Sequence, residues 1–292
     1  MKKYLKQIFY ETYGTIAPIS LAKYLYRKNL GRPMNLKNPS DLNEKINYLK
    51  FYSDTTQWSV LADKYLVRNY VEQKGLKDIL IPLYGVYDTV EQLDFSALPQ
   101  EFVIKTTHGC ADAVIVRDKT VIEKNRIINE IKKNLKLRHG LSTAQPHYLK
   151  IKPKLIVEKL LTQDGPVKTH SLIDYKIWCF NGIPHCIWTC YDRSKTHVNV
   201  LTYDTAWNNI SNEYSVDMEH YSIGNDIPKP DTLDRMLECA SILSNGFPQV
   251  RVDMYSIGTH VYFGEMTFTS YGGYMPYFTK KALLRMGELI EL

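Results

Sequence analysis

The stretch VRVDMYSIGTHVYFGEMTFTSYGGY, residues 250–274, decides the fold. Two extended runs on either side of a Ser-Ile-Gly-Thr turn predict a closing β-hairpin. Side chains two positions apart on a strand share a face, so Arg251 lies beside Asp253. On the partner strand Glu265 lies beside Thr267 for the same reason. Because paired strands are only about 4.8 Å apart, the two carboxylates can converge.

Two converging carboxylates could bind a magnesium ion. Mg²⁺ usually takes one or two carboxylates and completes its coordination with waters and substrate phosphates. Asp253 and Glu265 are the candidate ligands. The alternative is an ordinary strand pair, in which Arg251 pairs with Glu265 in a surface contact worth about 0–1 kcal/mol. The hairpin alone leaves both interpretations open.

Further towards the N-terminus, the stretch FVIKTTHGCADAVIV, residues 102–116, could bind phosphate. Lys105 ends a buried strand, and the small-residue loop after it can place backbone N–H groups around an anion. The stretch lacks the Walker A pattern and the glycine fingerprint of dinucleotide-binding folds. His108 in this loop is more often structural than catalytic. Cys110 has no base tied to it, which is typical of a small loop residue.

Two further strands carry polar residues in unusual places. LIVEKLL, residues 155–161, predicts a buried strand that ends in polar residues. Such a strand end could border the binding site of a flat ring. DYKIWCF, residues 174–180, sets Asp174 and Lys176 on one face of an otherwise apolar strand. A charged pair in that position is unfavourable unless it is partnered or functional.

The remaining pattern predicts an α+β protein with its strands concentrated after residue 79. Helices are predicted over 1–30 with an interruption near Pro18, and over 42–51, 58–75, 121–137, 232–243 and 280–290. Strands are predicted over 79–81, 83–87, 101–105, 113–117, 155–160, 171–180, 183–191, 198–203, 249–255 and 261–267. Turns are expected at 163–166 and at Asn181-Gly182, the latter joining the first pair of an antiparallel meander.

The composition is that of a globular chain long enough for about two domains. Of 292 residues, 44% are hydrophobic. The sequence contains no run of about 18 apolar residues, so no membrane-spanning helix is predicted. The net charge of +6 is unevenly distributed. Residues 1–50 and 101–159 each carry +7, whereas residues 201–250 carry −6. This distribution suggests a polyanionic ligand approached from specific sides, and solvated charged faces are the alternative.

The cysteines point to a reducing compartment. Their number is odd and they contain no Cys-x-x-Cys, so neither a disulfide framework nor a structural zinc site is favoured. The start MKKYLKQIFYETYG lacks the apolar core and cleavage site of a secretory signal. We therefore expect a cytoplasmic protein. The five cysteines are Cys110, Cys179, Cys186, Cys190 and Cys239.

Taken together and in this order, these motifs resemble the ATP-grasp superfamily. NPSDLNEKINYLKFY (38–52), DKYLVRNYV (63–71) and DFSALPQEFVIKTTHG (94–109) are similar to one branch, the TupA-like ATP-grasp proteins of teichuronopeptide and capsular-polysaccharide clusters. The resemblance covers roughly residues 35–275. It implies an α+β ATP-grasp fold in which a nucleotide is held between a small lid domain and a larger antiparallel-sheet core domain.

The resemblance also implies a division of the chain and a nucleotide site. Residues 1–80 would be a helical N-terminal segment, 81–157 the lid and 158–292 the core with the magnesium and phosphate site. The nucleotide would be ATP. The implied phosphate-binding residues are Lys105, which would bind the α- and β-phosphates, Thr107 and Gly109 in the loop after it, and Lys176. Glu158, Lys159 and Leu161 would form an interdomain hinge, in which the backbone of Lys159 and Leu161 contacts adenine. Asp174 would lie near the ribose.

The hairpin would hold the metal and stabilise the reacting group. Asp253, Glu265 and Thr267 are the implied Mg²⁺ ligands. Arg251, together with Lys176, is the implied catalytic residue, since it would stabilise the phosphoryl or tetrahedral intermediate. Family members commonly have Asn where Thr267 stands, so a second metal at that position is not implied by this sequence.

The chemistry that the resemblance implies is ATP-dependent ligation of a carboxylate to an amine through an acylphosphate. The acceptor would be an anionic glycan carrying a uronic acid, or a similar carboxylate, and the other partner an amino acid or amine. No nucleic acid partner is expected. Weak contact with the cytoplasmic face of a membrane is expected from the basic amphipathic helix that contains Lys2, Lys3 and Lys6.

Three other functions stay open at this stage. A glycosyltransferase of polysaccharide biosynthesis is one, although no Asp-x-Asp metal motif is present. A sugar or polyol kinase on the same scaffold is the second. A non-catalytic glycan-binding protein is the third.

Overall fold

The computed structural model describes residues 2–110, 112–163 and 169–292, with side chains from Leu5 onward. The described chain forms two compact units. The first unit contains residues up to Leu21 together with Thr55–Gln73 and Leu80–Leu161. The second contains Ala22–Asp54, Lys74–Ile79 and Thr162–Leu292. The first 80 residues therefore contribute to both units.

The helices follow the predicted order along the chain. They are α1 (Lys2–Ile16), α2 (Pro18–Leu30), α3 (Leu42–Tyr52), α4 (Thr56–Ala62), α5 (Val67–Gln73), α6 (Lys124–Leu135), α7 (His139–Ser142), α8 (Ser211–Tyr214), α9 (Leu233–Ser244) and α10 (Lys280–Glu288). Asp41 caps α3, because its side chain accepts a hydrogen bond from the N–H of Glu44 at 3.0 Å.

The strands lie in two sheets. They are β1 (Leu83–Tyr87), β2 (Phe102–Thr106), β3 (Val114–Val116), β4 (Leu155–Glu158), β5 (Asp174–Phe180), β6 (Ile183–Tyr191), β7 (Val198–Asp204), β8 (Tyr221–Ile223), β9 (Gln249–Ile257) and β10 (His260–Thr267). This combination of helices with mainly antiparallel sheets confirms the predicted α+β class.

The first unit is built on a four-stranded antiparallel sheet in the order β1-β4-β2-β3. Its apolar face packs against α6. Ile131 of α6 is the buried helix residue in this core. The core residues are Val90, Leu93, Phe95, Leu98, Phe102, Ile104, Val114, Val116, Ile131, Leu155 and Val157. The strand that ends in Lys105 and Thr106 is thereby fixed at the centre of the sheet.

The second unit is built on a six-stranded sheet in the order β10-β9-β5-β6-β7-β8. The predicted hairpin of β9 with β10 is confirmed, as is the antiparallel meander of β5, β6 and β7. The strand β8 joins the edge in parallel to β7. Because β9 pairs with β5 as well as β10, the hairpin lies beside the strand that carries Lys176.

The register of these strands separates a polar face from an apolar one. Lys176 is paired with Asp253 on one side and with Trp188 on the other, and paired residues share a face. The opposite face is apolar and packs against α9, where the Cys179 Sγ lies 3.9 Å from the Ala240 carbonyl oxygen. The helix therefore supports the sheet from behind and leaves the charged face on the other side.

Two predicted elements are wrong in detail. The single helix predicted over 58–75 is two helices, α4 and α5. The break comes from Asp63, whose Oδ1 accepts hydrogen bonds from the N–H groups of Tyr65 (2.8 Å) and Leu66 (3.0 Å) and so starts a new helix. The strand predicted over 79–81 is instead the end of a 3₁₀ turn, Lys77–Ile79.

Some short elements are not predicted by the sequence at all. The helices α7 and α8 are four residues long and β8 is three, too short to show a periodic pattern. Part of the predicted turn at 163–166 lies outside the described residues.

Candidate active site

The charged face of the six-stranded sheet is organised around Arg251. Its Nε donates to Asp253 Oδ1 at 2.6 Å and its Nη2 to Asp253 Oδ2 at 2.7 Å. Its Nη1 donates to the Ser270 hydroxyl at 2.9 Å, and Nη2 also reaches Glu265 and Thr267. This bidentate pairing fixes the plane of a buried guanidinium.

Lys176 extends the cluster on the neighbouring strand. Its Nζ lies 2.6 Å from Asp253 Oδ2 and 3.6 Å from Asp174 Oδ2. Asp174 in turn is bound by Arg193 Nη2 at 3.1 Å. Each carboxylate thus lies between two cations, as expected for charges held in a largely dehydrated place.

The surroundings keep these groups ionised. Burial alone would raise the pKa of Asp253, but the charges of Arg251 and Lys176 outweigh it and lower that pKa below its usual range. Burial would likewise lower the pKa values of Lys176 and Arg251, and the neighbouring carboxylates raise both above their ordinary values. Arg251, Lys176 and Asp253 are therefore all charged at neutral pH, and the cations are balanced by carboxylates.

Glu265 and Thr267 lie at the edge of the same cluster. Glu265 is paired in register with Asp253, and Thr267 with Arg251. The Thr267 hydroxyl donates to Glu265 Oε1 at 3.0 Å, while Arg251 Nη2 lies 3.3 Å from the same oxygen. The Glu265 side chain is 44% exposed, in contrast to 3% for Asp253.

The donor set fits one magnesium ion. Hard oxygen atoms of two carboxylates come from adjacent strands, with one carboxylate open to solvent, and Mg²⁺ fills its other positions with waters and phosphates. Among the described residues, no group of three or more His, Cys, Asp or Glu side chains is arranged to hold a metal.

The first unit has a smaller charged cluster around Lys105, in the candidate phosphate-binding segment 102–116. Lys105 Nζ lies 2.9 Å from Glu158 Oε2, and Arg68 Nη1 lies 3.1 Å from Glu158 Oε1. Arg68 Nη2 also donates to the Ile81 carbonyl at 2.9 Å. Two cations therefore share one carboxylate, which leaves a net positive charge beside the loop.

The loop after Lys105 is held by its own backbone and side chains. Thr107 is fully buried, and its N–H donates to the Lys154 carbonyl at 2.9 Å. The carbonyl of Gly109 accepts from the Lys64 ammonium. A Cβ on Gly109 would collide with the side chains of Asp112 and Thr106, which would have to shift to make room for it.

His108 in this loop is structural in its contacts. It is 5% exposed, and its Nε2 lies 2.9 Å from the Leu137 carbonyl oxygen. Burial lowers the pKa of His108, and the hydrogen bond to Leu137 only partly offsets that effect. The ring is therefore neutral at pH 7.

The predicted hinge residues follow β4. Glu158 ends the strand, and the Lys159 N–H donates to the Pro82 carbonyl at 2.9 Å. The backbone N–H of Lys159 is therefore already used within the first unit. The first unit ends at Leu161 and the second resumes at Thr162, so the chain passes between the units directly after this segment.

The structure brings the sequence-derived residues together in two groups, one in each unit. Arg251, Asp253, Glu265, Thr267, Asp174 and Lys176 form the group on the six-stranded sheet; Lys105, Thr107, Gly109, Glu158, Lys159 and Leu161 belong to the first unit. Sequence reasoning missed Arg68, Arg193 and Ser270 as partners of these groups. Arg68 lies within the quoted stretch DKYLVRNYV, which is the one available signal for it.

The parts expected of an ATP-grasp protein are a small sheet with a lysine near the end of a central strand, and a larger, mainly antiparallel sheet that carries paired carboxylates and cations. A family model described as TupA-like ATP-grasp matches residues 44–291. The chain belongs to this family, which confirms the ATP-grasp fold. No curated protein matches the chain.

Solved structures that resemble the chain are distant. D-alanine–D-alanine ligase from Bacillus anthracis, complexed with ATP, is 13% identical with a TM-score of 0.40, over 79% of this chain and 57% of that one. The Helicobacter pylori D-alanine–D-alanine ligase is 11% identical with a TM-score of 0.47, over 86% of this chain and 67% of that one. L-amino acid ligase from Bacillus licheniformis is 12% identical with a TM-score of 0.43, over 80% of this chain and 49% of that one. The chain thus spans little more than half of the first of these proteins.

Within the described part of the chain, every helix is too short or too polar to cross a membrane.

Proposed function

We propose that the protein is an ATP-dependent ligase that joins a carboxylate to an amine. The acceptor carboxylate attacks the γ-phosphoryl group of ATP, which gives an acylphosphate and ADP. The amine then attacks the acyl carbon, the amide bond forms and phosphate leaves with the electrons of the acyl C–O bond. Membership in the ATP-grasp family supports this proposal, and the observation that carries it is the buried, fully ionised cluster of Arg251, Asp253 and Lys176.

The cluster suits the charge that develops during the reaction. Arg251 and Lys176 are fixed by their carboxylate partners, so together with Mg²⁺ they can stabilise the charge of a phosphoryl group without reorganising. We assign the phosphates of ATP to Lys176 together with Lys105. Thr107 and Gly109 fix the shape of the loop that follows Lys105.

We assign the other end of ATP to the chain after β4. The Lys159 carbonyl and the Leu161 N–H would recognise adenine, and Asp174 would approach the ribose. Glu158 contributes by orienting Lys105 through their 2.9 Å ion pair. The three segments 1–80, 81–157 and 158–292 are retained as the proposed N-terminal, lid and core parts.

Asp253 and Glu265 would hold Mg²⁺, with Thr267 beside them. When bound, the ion withdraws charge from the phosphate oxygens and so favours transfer of the phosphoryl group. Asp253 already accepts hydrogen bonds from Arg251 and Lys176. Glu265 is the more accessible ligand, because its side chain is 44% exposed.

We propose a glycan carboxylate in surface or capsular polysaccharide biosynthesis as the acceptor, and an amino acid as the amine. The TupA-like sequence family and the basic excess in residues 1–50 and 101–159 support an anionic acceptor. A cytoplasmic location follows from the use of ATP.

We also propose a weak contact between α1 and an anionic membrane surface. Leu5, Ile8, Phe9 and Ile16 of α1 are exposed, and at helical spacing they share one side of the helix. Replacing Lys2, Lys3 and Lys6 by Glu should abolish co-sedimentation with phosphatidylglycerol vesicles, and raised salt should weaken it in the natural protein. No difference at low salt would contradict this contact.

ADP release tests the ligase. Purified protein with ATP and Mg²⁺ should release ADP only when a uronic acid oligosaccharide and an amino acid are both present. Release with the saccharide alone, and without an amide product, would indicate a kinase. Stabilisation of the protein by a UDP-sugar and not by ATP with Mg²⁺ would indicate a glycosyltransferase.

Matched variants test the residue assignment. Lys105→Ala and Glu265→Ala should each lower ADP release by about a hundredfold, in line with the loss of one charged catalytic contact. Lys281→Ala and Glu238→Ala remove surface charges that lie outside both clusters, and should leave the rate unchanged. Full activity in both Lys105→Ala and Glu265→Ala would show that the assignment is wrong.

A further inference from the structure

A cavity that opens to solvent lies within the first unit. Its volume is about 290 Å³, just below the range of about 300–1,000 Å³ that is typical of small-molecule sites. It is lined by residues within 59–66, at the end of α4 and the start of α5, and by residues within 150–154, before β4. These residues belong to neither of the two charged clusters, so the cavity is a separate feature of the first unit.

Part of the lining is apolar and reaches the surface. Val60 is 43% exposed and Leu66 is 41% exposed, whereas Ile151 is buried. Covering such apolar surface with a ligand is favourable, because the surface is removed from water. The cavity therefore suits a ligand that carries an apolar group.

The charged part of the lining is basic. Lys150, Lys152 and Lys154 line the cavity together with a single carboxylate, that of Asp63, so the lining carries a net charge of at least +2 at neutral pH. The Asp63 Oδ1 already accepts hydrogen bonds from two N–H groups at the start of α5. The carboxylate of Asp88 lies 3.4 Å from Lys152 Nζ and 3.2 Å from Lys154 Nζ, but it is 50% exposed, and exposed pairs of this kind are weak. An anion in the cavity can therefore take the place of Asp88.

The wall of the cavity is fixed to the proposed phosphate-binding loop. The Thr107 N–H donates to the Lys154 carbonyl at 2.9 Å. The Thr107 hydroxyl accepts from the Lys154 N–H at 3.1 Å and donates to the Lys152 carbonyl at 3.3 Å. From the other lining segment, the Lys64 N–H donates to the Thr107 carbonyl at 3.1 Å. The shape of the cavity and the shape of the loop therefore depend on the same hydrogen bonds.

We propose that this cavity binds a small phosphate monoester of an apolar or aromatic group, which acts as a regulator of the enzyme and not as a reactant. Lysine ammonium groups bind phosphate as point charges, and a phosphate monoester carries a charge of about −1.5 to −2 at pH 7, which complements the lining. The apolar group of the ligand covers Val60 and Leu66. A ligand of this class combines both properties of the lining in one small molecule.

The regulatory role rests on the proposed function, whereas the binding itself does not. A ligand that binds the cavity stabilises the arrangement in which Thr107 is held by its hydrogen bonds. That arrangement fixes the loop directly after Lys105, to which the phosphates of ATP are assigned. The phosphate monoester and ATP should therefore strengthen each other's binding by the same factor.

Isothermal titration calorimetry with phenyl phosphate, in the absence of ATP, tests the binding. The natural protein should bind phenyl phosphate with a Kd of about 1 mM or below. Inorganic phosphate lacks the apolar group and phenol lacks the charge, so each should bind at least about tenfold more weakly. Equal affinity for phenyl phosphate and either of these two compounds, or no binding of phenyl phosphate at about 10 mM, would overturn the proposal.

Variants locate the bound anion. Val60→Glu adds a carboxylate to the lining at a partly exposed position, and should weaken phenyl phosphate binding at least about tenfold. Val121→Glu is the matched control, since Val121 is 77% exposed in the first unit and lies outside the lining segments. Lys105→Met should retain binding. Loss of binding in Lys105→Met and not in Val60→Glu would place the anion at the cluster around Lys105 and would overturn the cavity site.

A second titration tests the regulatory role. With the protein saturated with ATP, the Kd of phenyl phosphate should fall by about fivefold. A higher Kd in the presence of ATP would show competition for one site and would overturn the proposal, and an unchanged Kd would overturn the regulatory role. ATP binding is titrated separately, so a protein that binds phenyl phosphate but not ATP would contradict the proposed ligase and leave the cavity site supported.

Discussion

The two charged clusters use the same kinds of residue but differ in balance and burial. In the first unit, Arg68 and Lys105 share the single carboxylate of Glu158, which leaves one uncompensated positive charge. In the second unit the cations Lys176, Arg193 and Arg251 face the carboxylates Asp174, Asp253 and Glu265, so that the charges cancel. Asp253 is 3% exposed, and Lys105 is 23% exposed.

If the two clusters bind the phosphates of ATP as proposed, this difference predicts two ways of binding phosphate. The first cluster attracts an anion directly, because it carries a net positive charge near solvent. The second is neutral, so we expect it to bind a phosphate together with Mg²⁺, for which the exposed Glu265 carboxylate is the proposed entry point. The two clusters should therefore respond differently to the loss of one charge.

The largest effect is expected at Asp253. Asp253→Ala leaves Arg251 and Lys176 buried without their main carboxylate, and breaking a buried pair in this way costs about 3–5 kcal/mol. Urea denaturation of the natural and variant proteins should show this loss in the free energy of unfolding. A loss below about 1 kcal/mol would mean that the second cluster is no more coupled than a surface pair.

The pH dependence of stability should be dominated by the same carboxylate. Since the folded-state pKa of Asp253 lies below its unfolded value, the stabilisation is fully present above the unfolded pKa and is lost as the pH falls through the folded pKa. The Tm difference between the natural protein and Asp253→Asn should stay constant from pH 7 to about 4 and shrink below. A difference that is constant down to pH 2 would contradict this account.

The two lysines provide a direct comparison between the clusters. Lys176→Met should lower the free energy of unfolding by about 1–3 kcal/mol, because two carboxylates lose a buried partner. Lys105→Met should lower it by no more than about 1 kcal/mol, since Lys105 is partly solvated and Glu158 keeps Arg68.

The effect of Lys105→Met on ATP binding should be larger than its small effect on the free energy of unfolding suggests. Lys105→Met should weaken ATP binding by about tenfold even in the absence of Mg²⁺, because the first cluster loses its net charge. Equal stability losses for the two lysines, measured by urea denaturation, would remove the distinction between the clusters.

Much of the second cluster follows from the sequence by simple geometry. The two-residue spacing of Arg251 and Asp253 puts both on one face, and the predicted hairpin brings Glu265 close to them. The turn register alone would pair Asp253 with Gly264, however, and a β-bulge between Phe263 and Glu265 is what brings Glu265 opposite Asp253. The pairing of Lys176 with Asp253 could not be derived in this way. It depends on β5 lying beside β9, although more than 60 residues separate them in the chain.

The sequence pattern could not predict contacts between residues that are far apart in the chain. Arg68 reaches Glu158 across 90 positions, and Lys50 reaches Gly272 across 222. The break between α4 and α5 has a local cause in Asp63, but Asp also occurs within unbroken helices, so the periodicity of 58–75 concealed it. Local periodicity thus predicts elements, whereas the choice of partner depends on packing.

The smallest expected effect concerns Thr267, one of the proposed Mg²⁺ ligands. The Thr267 hydroxyl donates to Glu265 Oε1, the oxygen that also accepts from Arg251, and so holds this carboxylate against the cation. Thr267→Asn offers a carbonyl oxygen to a metal while its amide can still donate. The Mg²⁺ concentration that gives half-maximal ADP release should therefore fall by about two- to fivefold, which is less than about 1 kcal/mol. Thr267→Val is the control that removes the hydroxyl at nearly constant volume, and it should raise that concentration instead. If both variants shift it in the same direction, Thr267 acts through packing, and the neutral cluster owes its affinity for Mg²⁺ to the carboxylates alone.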